Sequence, residues 1–155
     1  PKAVKDGSDL EARSHMMAAA AMGATAFQKG LGAVHSLSHP VGAIFDTHHG
    51  LTNAVFMPYV MMFNRPAIDE KMGRVASFIG LADASFDGML DWVMDLRAEF
   101  NVPHTAAELG VTEDRMDEVA EKAEADPSTG GNPVKAGKAE MYKILAASME
   151  GSLDL

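Results

Sequence analysis

The sequence predicts an all-α domain. Three observations predict it. No stretch alternates apolar and polar residues with period two for long enough to make a strand. Apolar residues recur instead at three- and four-residue spacing, with Ser, Thr or Asp ahead of the runs and Gly or Pro behind them, the punctuation of helices. The 155 residues are 47% hydrophobic and 23% charged. That is apolar enough for one packed domain and excludes a disordered chain.

About seven helices follow in order. Ser8-Asp9-Leu10-Glu11 matches a capping box, so a helix is expected over residues 9–29, rich in Ala and Met. Its small side chains, from Ala18 to Ala24, suggest close packing on several sides. Gly30 and Gly32 then punctuate the chain. Residues 31–45 form an apolar segment that Pro40 should kink or divide. Residues 46–50 read as a turn. Residues 51–63 read as a buried helix with Pro58 inside it, broken at Asn64-Arg65-Pro66. Residues 68–81 place Ile68, Met72, Val75, Phe78 and Ile79 on one stripe. Ser85 caps a helix with Phe86, Leu90, Val93, Met94 and Leu96 inward. Thr112 caps residues 113–125, residues 126–133 form a Gly/Pro-rich loop, and residues 135–149 make the last helix. There is no internal repeat.

Charge narrows the partners. Acidic residues outnumber basic ones 22 to 13, a formal charge of -9. That surface does not suit nucleic acid, which needs cations to neutralise phosphates, nor anionic lipid. The longest apolar run, residues 16–27, is short of the roughly 20 residues of a membrane span. Asp6, Asp9 and Glu11 also spoil a signal-peptide reading. A cytoplasmic protein is the expectation. Cysteine is absent, so any metal must be held by His and carboxylate.

Six histidines remain. His35 and His39 are four residues apart, one turn on the same helix face. His49 follows fourteen residues after His35, just past the turn. Three imidazoles therefore fall in or beside the most apolar part of the chain. On spacing alone, a metal or catalytic role stands beside the plainer reading of buried, hydrogen-bonded histidines. His15 and His104 read as surface or loop residues, and Glu11 as a cap rather than a ligand partner of His15.

Longer motifs surround these histidines. They are Gly30-Leu31-Gly32-Ala33-Val34-His35-Ser36-Leu37-Ser38-His39-Pro40-Val41-Gly42-Ala43, then His49-Gly50-Leu51-Thr52-Asn53-Ala54, then Pro58 and Asn64. This pattern closely resembles the iron-containing alcohol dehydrogenases. Val102-Pro103, Glu108-Leu109-Gly110-Val111 and Asn132-Pro133 extend the resemblance over nearly the whole chain.

The resemblance implies an all-helical C-terminal domain of the dehydroquinate synthase-like/iron alcohol dehydrogenase fold over residues 1–155. The family's N-terminal domain, which binds NAD or NADP, would be missing. Two family metal ligands match His35 and His49, and His39 matches a residue near the nicotinamide that assists the proton or orients substrate. The metal implied is Fe2+, with Zn2+ as the alternative. The family's Asp-x-x-x-His ligand pair lies upstream of any match. Glu11 and His15 have the spacing but lie too close to His35 in sequence and in the wrong helix. The family's glycine-rich cofactor loop is also absent. His48 stands where the family commonly has Pro. Gly50 fixes the ligand match to His49, which leaves His48 a bystander.

The implied reaction is reversible oxidation of a small alcohol to an aldehyde or ketone, with the metal as Lewis acid. With half the ligands, the chain alone should be inactive. Leu37, Val41, Ile44 and Phe45 would exclude water around His39, although core packing is the plainer role for each. Related readings are a diol or lactaldehyde reductase, a butanol dehydrogenase or a hydroxyacid–oxoacid transhydrogenase. A different class is a stand-alone, non-catalytic helical module with structural histidines. Exposed cleft surface could favour a homo-oligomer.

Overall fold

The computed structural model describes residues 1–155. It contains seven α-helices and no strand, as the missing period-two pattern required. The chain divides into two compact units, residues 1–30 and 31–155. No helix is long and apolar enough to cross a membrane.

The first unit holds α1 (Lys2–Lys5), α2 (Leu10–Ala26) and a 3-10 turn at Phe27–Lys29. The expected capping box at Ser8 does not form. Asp9 is the cap, accepting from the Ala12 amide at 2.9 Å, while the Ser8 hydroxyl donates to Asp6. A carboxylate one residue later satisfies an orphan amide one residue further on, with more charge for the helix dipole. The expected close packing is also absent. Ala12 is the one buried residue of α2, and residues 13–30 are exposed. A run of Ala and Met supports a helix by propensity alone.

The second unit contains α3 (Ala33–Phe45), α4 (His49–Phe78), α5 (Phe86–Glu99), α6 (Met116–Ala125) and α7 (Lys138–Glu150). Leu37 and Val41 from α3 meet Val55, Phe56 and Tyr59 from α4, Val119 and Ala123 from α6, and Met141, Ile144 and Leu145 from α7. All ten are fully buried. At ~1.5–3 kcal/mol for each large side chain, this core is the main support of the unit.

Two expected breaks do not occur. α3 runs through Pro40, and α4 continues through Pro58 and Pro66 for 30 residues. Each proline removes one backbone hydrogen bond and costs ~3 kcal/mol in an isolated helix. Here Pro40 and Pro58 are themselves buried, and burial of the surrounding turns offsets the loss. The expected turn over residues 46–50 is shorter than read. Asp46 takes a left-handed conformation (φ 54°, ψ 40°) to end α3, and α4 starts at His49.

The stripe read on residues 68–81 holds at Ile68, Met72 and Val75, which are half-buried, and fails at its end. Ala76 is fully buried, whereas Phe78 is 90% exposed. Two residues are ~200° around a helix, so a buried Ala76 turns Phe78 outward. α5 follows the expectation: the Ser85 hydroxyl accepts from the Gly88 amide at 3.0 Å, and Phe86, Leu90 and Val93 point inward. A bidentate bond from Arg65 to Asp87, at 2.8 and 2.9 Å, ties α4 to α5, with the guanidinium 4.6 Å from the Phe86 ring centre. Thr112 makes no side-chain cap. A 3-10 turn at Glu113–Arg115 leads into α6 instead.

Candidate metal and proton-transfer site

The site is built where the start of α3 meets the start of α4 and the loop after α6. Gly32 caps α3 and has no side chain to do so. The cap comes from 99 residues away: the Asn132 Oδ1 accepts from the Ala33 amide at 3.1 Å. The same oxygen accepts from Asn64 at 3.0 Å. The Asn132 amide donates back to Asn64 at 2.7 Å and to the Val134 carbonyl at 2.7 Å. Asn132 therefore satisfies all its hydrogen-bonding groups while clamping α3, α4 and the loop. A Cβ on Gly32 would meet that oxygen at 2.8 Å, and one on Gly131 would collide with the Leu31 carbonyl. The two glycines permit the approach.

Three histidines come together beside the clamp. Ring centres of His35 and His39 lie 5.7 Å apart, His35 and His49 5.3 Å, and His39 and His49 5.5 Å. The i,i+4 spacing predicts the first distance. Only the meeting of α3 and α4 explains the other two.

His35 and His49 share a neighbour. The Asn53 Nδ2 lies 3.3 Å from the His35 Nε2 and 3.1 Å from the His49 Nε2. Both ring nitrogens converge on one amide donor, so both present the lone pair, the form that ligates a metal. The Asn53 Oδ1 is buried without a partner. Burial, then the positive charge of His49 and His39 when protonated, push the His35 imidazole below its ordinary value and favour its neutral form.

His39 turns a different edge. Its Nδ1 lies 2.8 Å from the Asp126 Oδ2. Its side chain is 42% exposed, against 12% for Asp126. Of the apolar residues around it, Leu37 and Val41 are fully buried in the core, and Ile44 and Phe45 pack partly against it.

The remaining histidines stay apart from this cluster. His48 caps α4, its Nδ1 accepting from the Leu51 amide at 3.2 Å. His104 lies in a loop, its Nε2 3.1 Å from the Gly151 carbonyl. His15 and Glu11 are exposed on α2.

No group of three or more His, Cys, Asp or Glu side chains forms a complete metal site. The donor set is two imidazoles aimed at one point. It fits a borderline metal such as Fe2+ or Zn2+ as half of a four-ligand shell. Sequence reasoning missed Asp126, which reads as the first residue of a loop, 87 residues from His39. Asn53, Asn64 and Asn132 stand in the sequence motifs, but their contacts are visible only in the fold. Nothing local distinguishes an asparagine that clamps from one that turns.

A sequence profile of the Fe-containing alcohol dehydrogenase family, C-terminal, matches residues 1–149. The chain is 39% identical over 157 residues to a 4-hydroxybutyrate dehydrogenase of Cupriavidus necator, covering 96% of this chain and 41% of that protein. It is 34% identical to an NADPH-dependent butanol dehydrogenase of Clostridium saccharobutylicum, over 93% of this chain and 39% of that protein. The crystal structure of a 1,3-propanediol oxidoreductase superposes with a TM-score of 0.90 at 31% identity, over 96% of this chain and 41% of that one. The chain thus spans about two fifths of the length of these relatives.

Proposed function

The chain belongs to the Fe-containing alcohol dehydrogenase family as its C-terminal helical part, and we propose that it carries half of the metal site and the proton acceptor of an NAD(P)-linked alcohol oxidation. The observation that carries this reading is the convergence of the His35 and His49 Nε2 atoms on one point. In this reading His35 and His49 hold Fe2+ or Zn2+. The remaining ligands and the nicotinamide-binding domain lie outside these residues. The substrate is a small alcohol, with an aldehyde or ketone as product, and the setting is the cytoplasm. The named relatives, which act on hydroxybutyrate, butanol and propanediol, support the alcohol class without choosing among its members.

A metal held by His35 and His49 would supply Lewis-acid polarisation of the alcohol oxygen, and a nicotinamide would supply the hydride acceptor. The chain's own residues do the rest. The Nε2 atoms of His35 and His49 would offer the metal their lone pairs. His39 presents its open edge and takes the hydroxyl proton on Nε2. The clamp at Asn132 keeps the first turn of α3 in register, so that His35 faces α4 (~1 Å of slippage there is enough to cost catalysis). The side chains of Leu37 and Val41 back α3 from within the core.

Metal titration of the 155-residue chain tests the assignment. Anaerobic Fe2+ and Co2+ should bind weakly, since two imidazoles are half a shell. Binding should be lost in both His35→Ala and His49→Ala and kept in His48→Ala. Uptake that ignores His35 and His49 overturns the site. So does tight one-to-one binding with full dehydrogenase activity from these residues alone.

A further inference from the structure

We propose that Asp126 is a positioning residue for His39: it holds the ring in the Nδ1–H tautomer, so that Nε2 is the nitrogen open to receive a proton. This rests on the role given to His39 above and deepens it.

The carboxylate is aimed by its own backbone. α6 ends at Ala125, and Asp126 adopts an extended conformation (φ −67°, ψ 134°) that turns its side chain away from the helix axis. Its amide donates to the Ala123 carbonyl at 3.2 Å, and its carbonyl accepts from the Thr129 amide at 3.0 Å. The Oδ1 accepts from the Ser128 amide at 2.8 Å. The loop is in turn tied to α3. The Thr129 hydroxyl lies 2.6 Å from the Ala123 carbonyl and 2.7 Å from the Ser36 hydroxyl, one helical turn before His39.

With Oδ1 committed to Ser128, the remaining oxygen, Oδ2, meets the His39 Nδ1 at 2.8 Å. An ionised carboxylate only accepts, so Nδ1 must carry the proton. The sheltered carboxylate and the exposed ring divide the work. The Nδ1 edge of the imidazole is locked against Asp126, while the side chain is 42% exposed. An acceptor behind the ring that selects tautomer and orientation is a recurring device wherever histidine moves a proton. An ion pair that merely joined α3 to α6 would make no demand on which nitrogen is protonated.

The test reads the tautomer directly. Ring 15N–1H correlations are recorded on the 15N-labelled, metal-free 155-residue chain at pH 8, with His39 identified by its loss in His39→Ala. The wild type should show Nδ1–H predominating at His39. In Asp126→Asn the single amide oxygen stays with Ser128 and the NH2 faces the ring, so His39 should switch to Nε2–H. Asp126→Ala should also lose the Nδ1–H preference. If Asp126→Ala does not fold, the near-isosteric Asn variant decides the matter. A His39 tautomer unchanged in the folded Asn variant overturns the proposal, as does Nε2–H in the wild type. The metal reading fails separately. It falls if metal uptake ignores His35 and His49, whatever the tautomer of His39.

Discussion

Helices α2 and α3 each carry a histidine four residues after another candidate ligand, and they end in opposite surroundings. Of the 17 residues of α2, Ala12 alone is buried, and Met16, Met17 and Met22 are more than half exposed. Of the 13 residues of α3, six are buried, among them Pro40. The sequence of α2 is the better helix former, with a run of alanines and no proline. α3 includes Gly42 and Pro40 and has only a borrowed cap. Propensity is enough to write a helix, but tertiary packing decides which helix holds chemistry. Glu11 and His15 share the spacing of His35 and His39, yet no third group reaches them to make a site.

The contrast is sharpest in the core. Leu37→Ala removes a fully buried side chain and should cost ~2–5 kcal/mol in urea unfolding of the chain. Met17→Ala, at a residue 74% exposed, should stay within ~0.5 kcal/mol. Equal costs would dissolve the distinction between the two helices. A smaller effect is expected at the clamp. Asn132→Ala strips partners from the Ala33 amide and from Asn64 and should cost ~1–3 kcal/mol. A Ser8→Ala change should leave α2 intact, because Asp9 is its cap. If Asn132→Ala is as silent as Ser8→Ala by the same unfolding measurement, the clamp does not hold α3.

The smallest effect is in acid. Burial tends to raise the Asp126 carboxyl, but the hydrogen bonds from His39 and Ser128 outweigh it and hold the group below the ordinary carboxylate value. A group depressed in the folded state adds stability above its unfolded value and loses it as pH falls through the folded one. Asp126→Asn should therefore flatten the loss of stability between about pH 5 and pH 2, relative to the wild type. Parallel unfolding curves for the two proteins over that range would show that Asp126 adds nothing to stability.

Much of the site was legible because its parts are local. His35 and His39 on one turn follow from spacing, and the match of His49 from the glycine after it. The absence of thiolate ligands follows from the absence of cysteine. What was illegible is non-local. Pro40 and Pro66 read as a kink or break, since a proline's cost is written in the sequence and the packing of the surrounding turns that offsets it is not. Asn64 read as part of a break and is instead half of a reciprocal amide pair. Asp126 read as a loop residue and became the partner of His39.

By itself, the sequence determined the all-α class, the approximate helix positions, the acidic surface, the nitrogen-and-oxygen ligand chemistry and the family. All of these rest on composition, period and short motifs. Only the tertiary structure decided that α3 and α4 stay unbroken. It alone brought His49 beside His35 across a chain reversal, and it alone set an asparagine and an aspartate from the far end of the chain against α3. The physical reason is one of range. A helix period is set by neighbours three and four residues away. A clamp or a carboxylate behind an imidazole depends on groups separated by 99 or 87 positions, and their meeting is decided by the burial of the whole core.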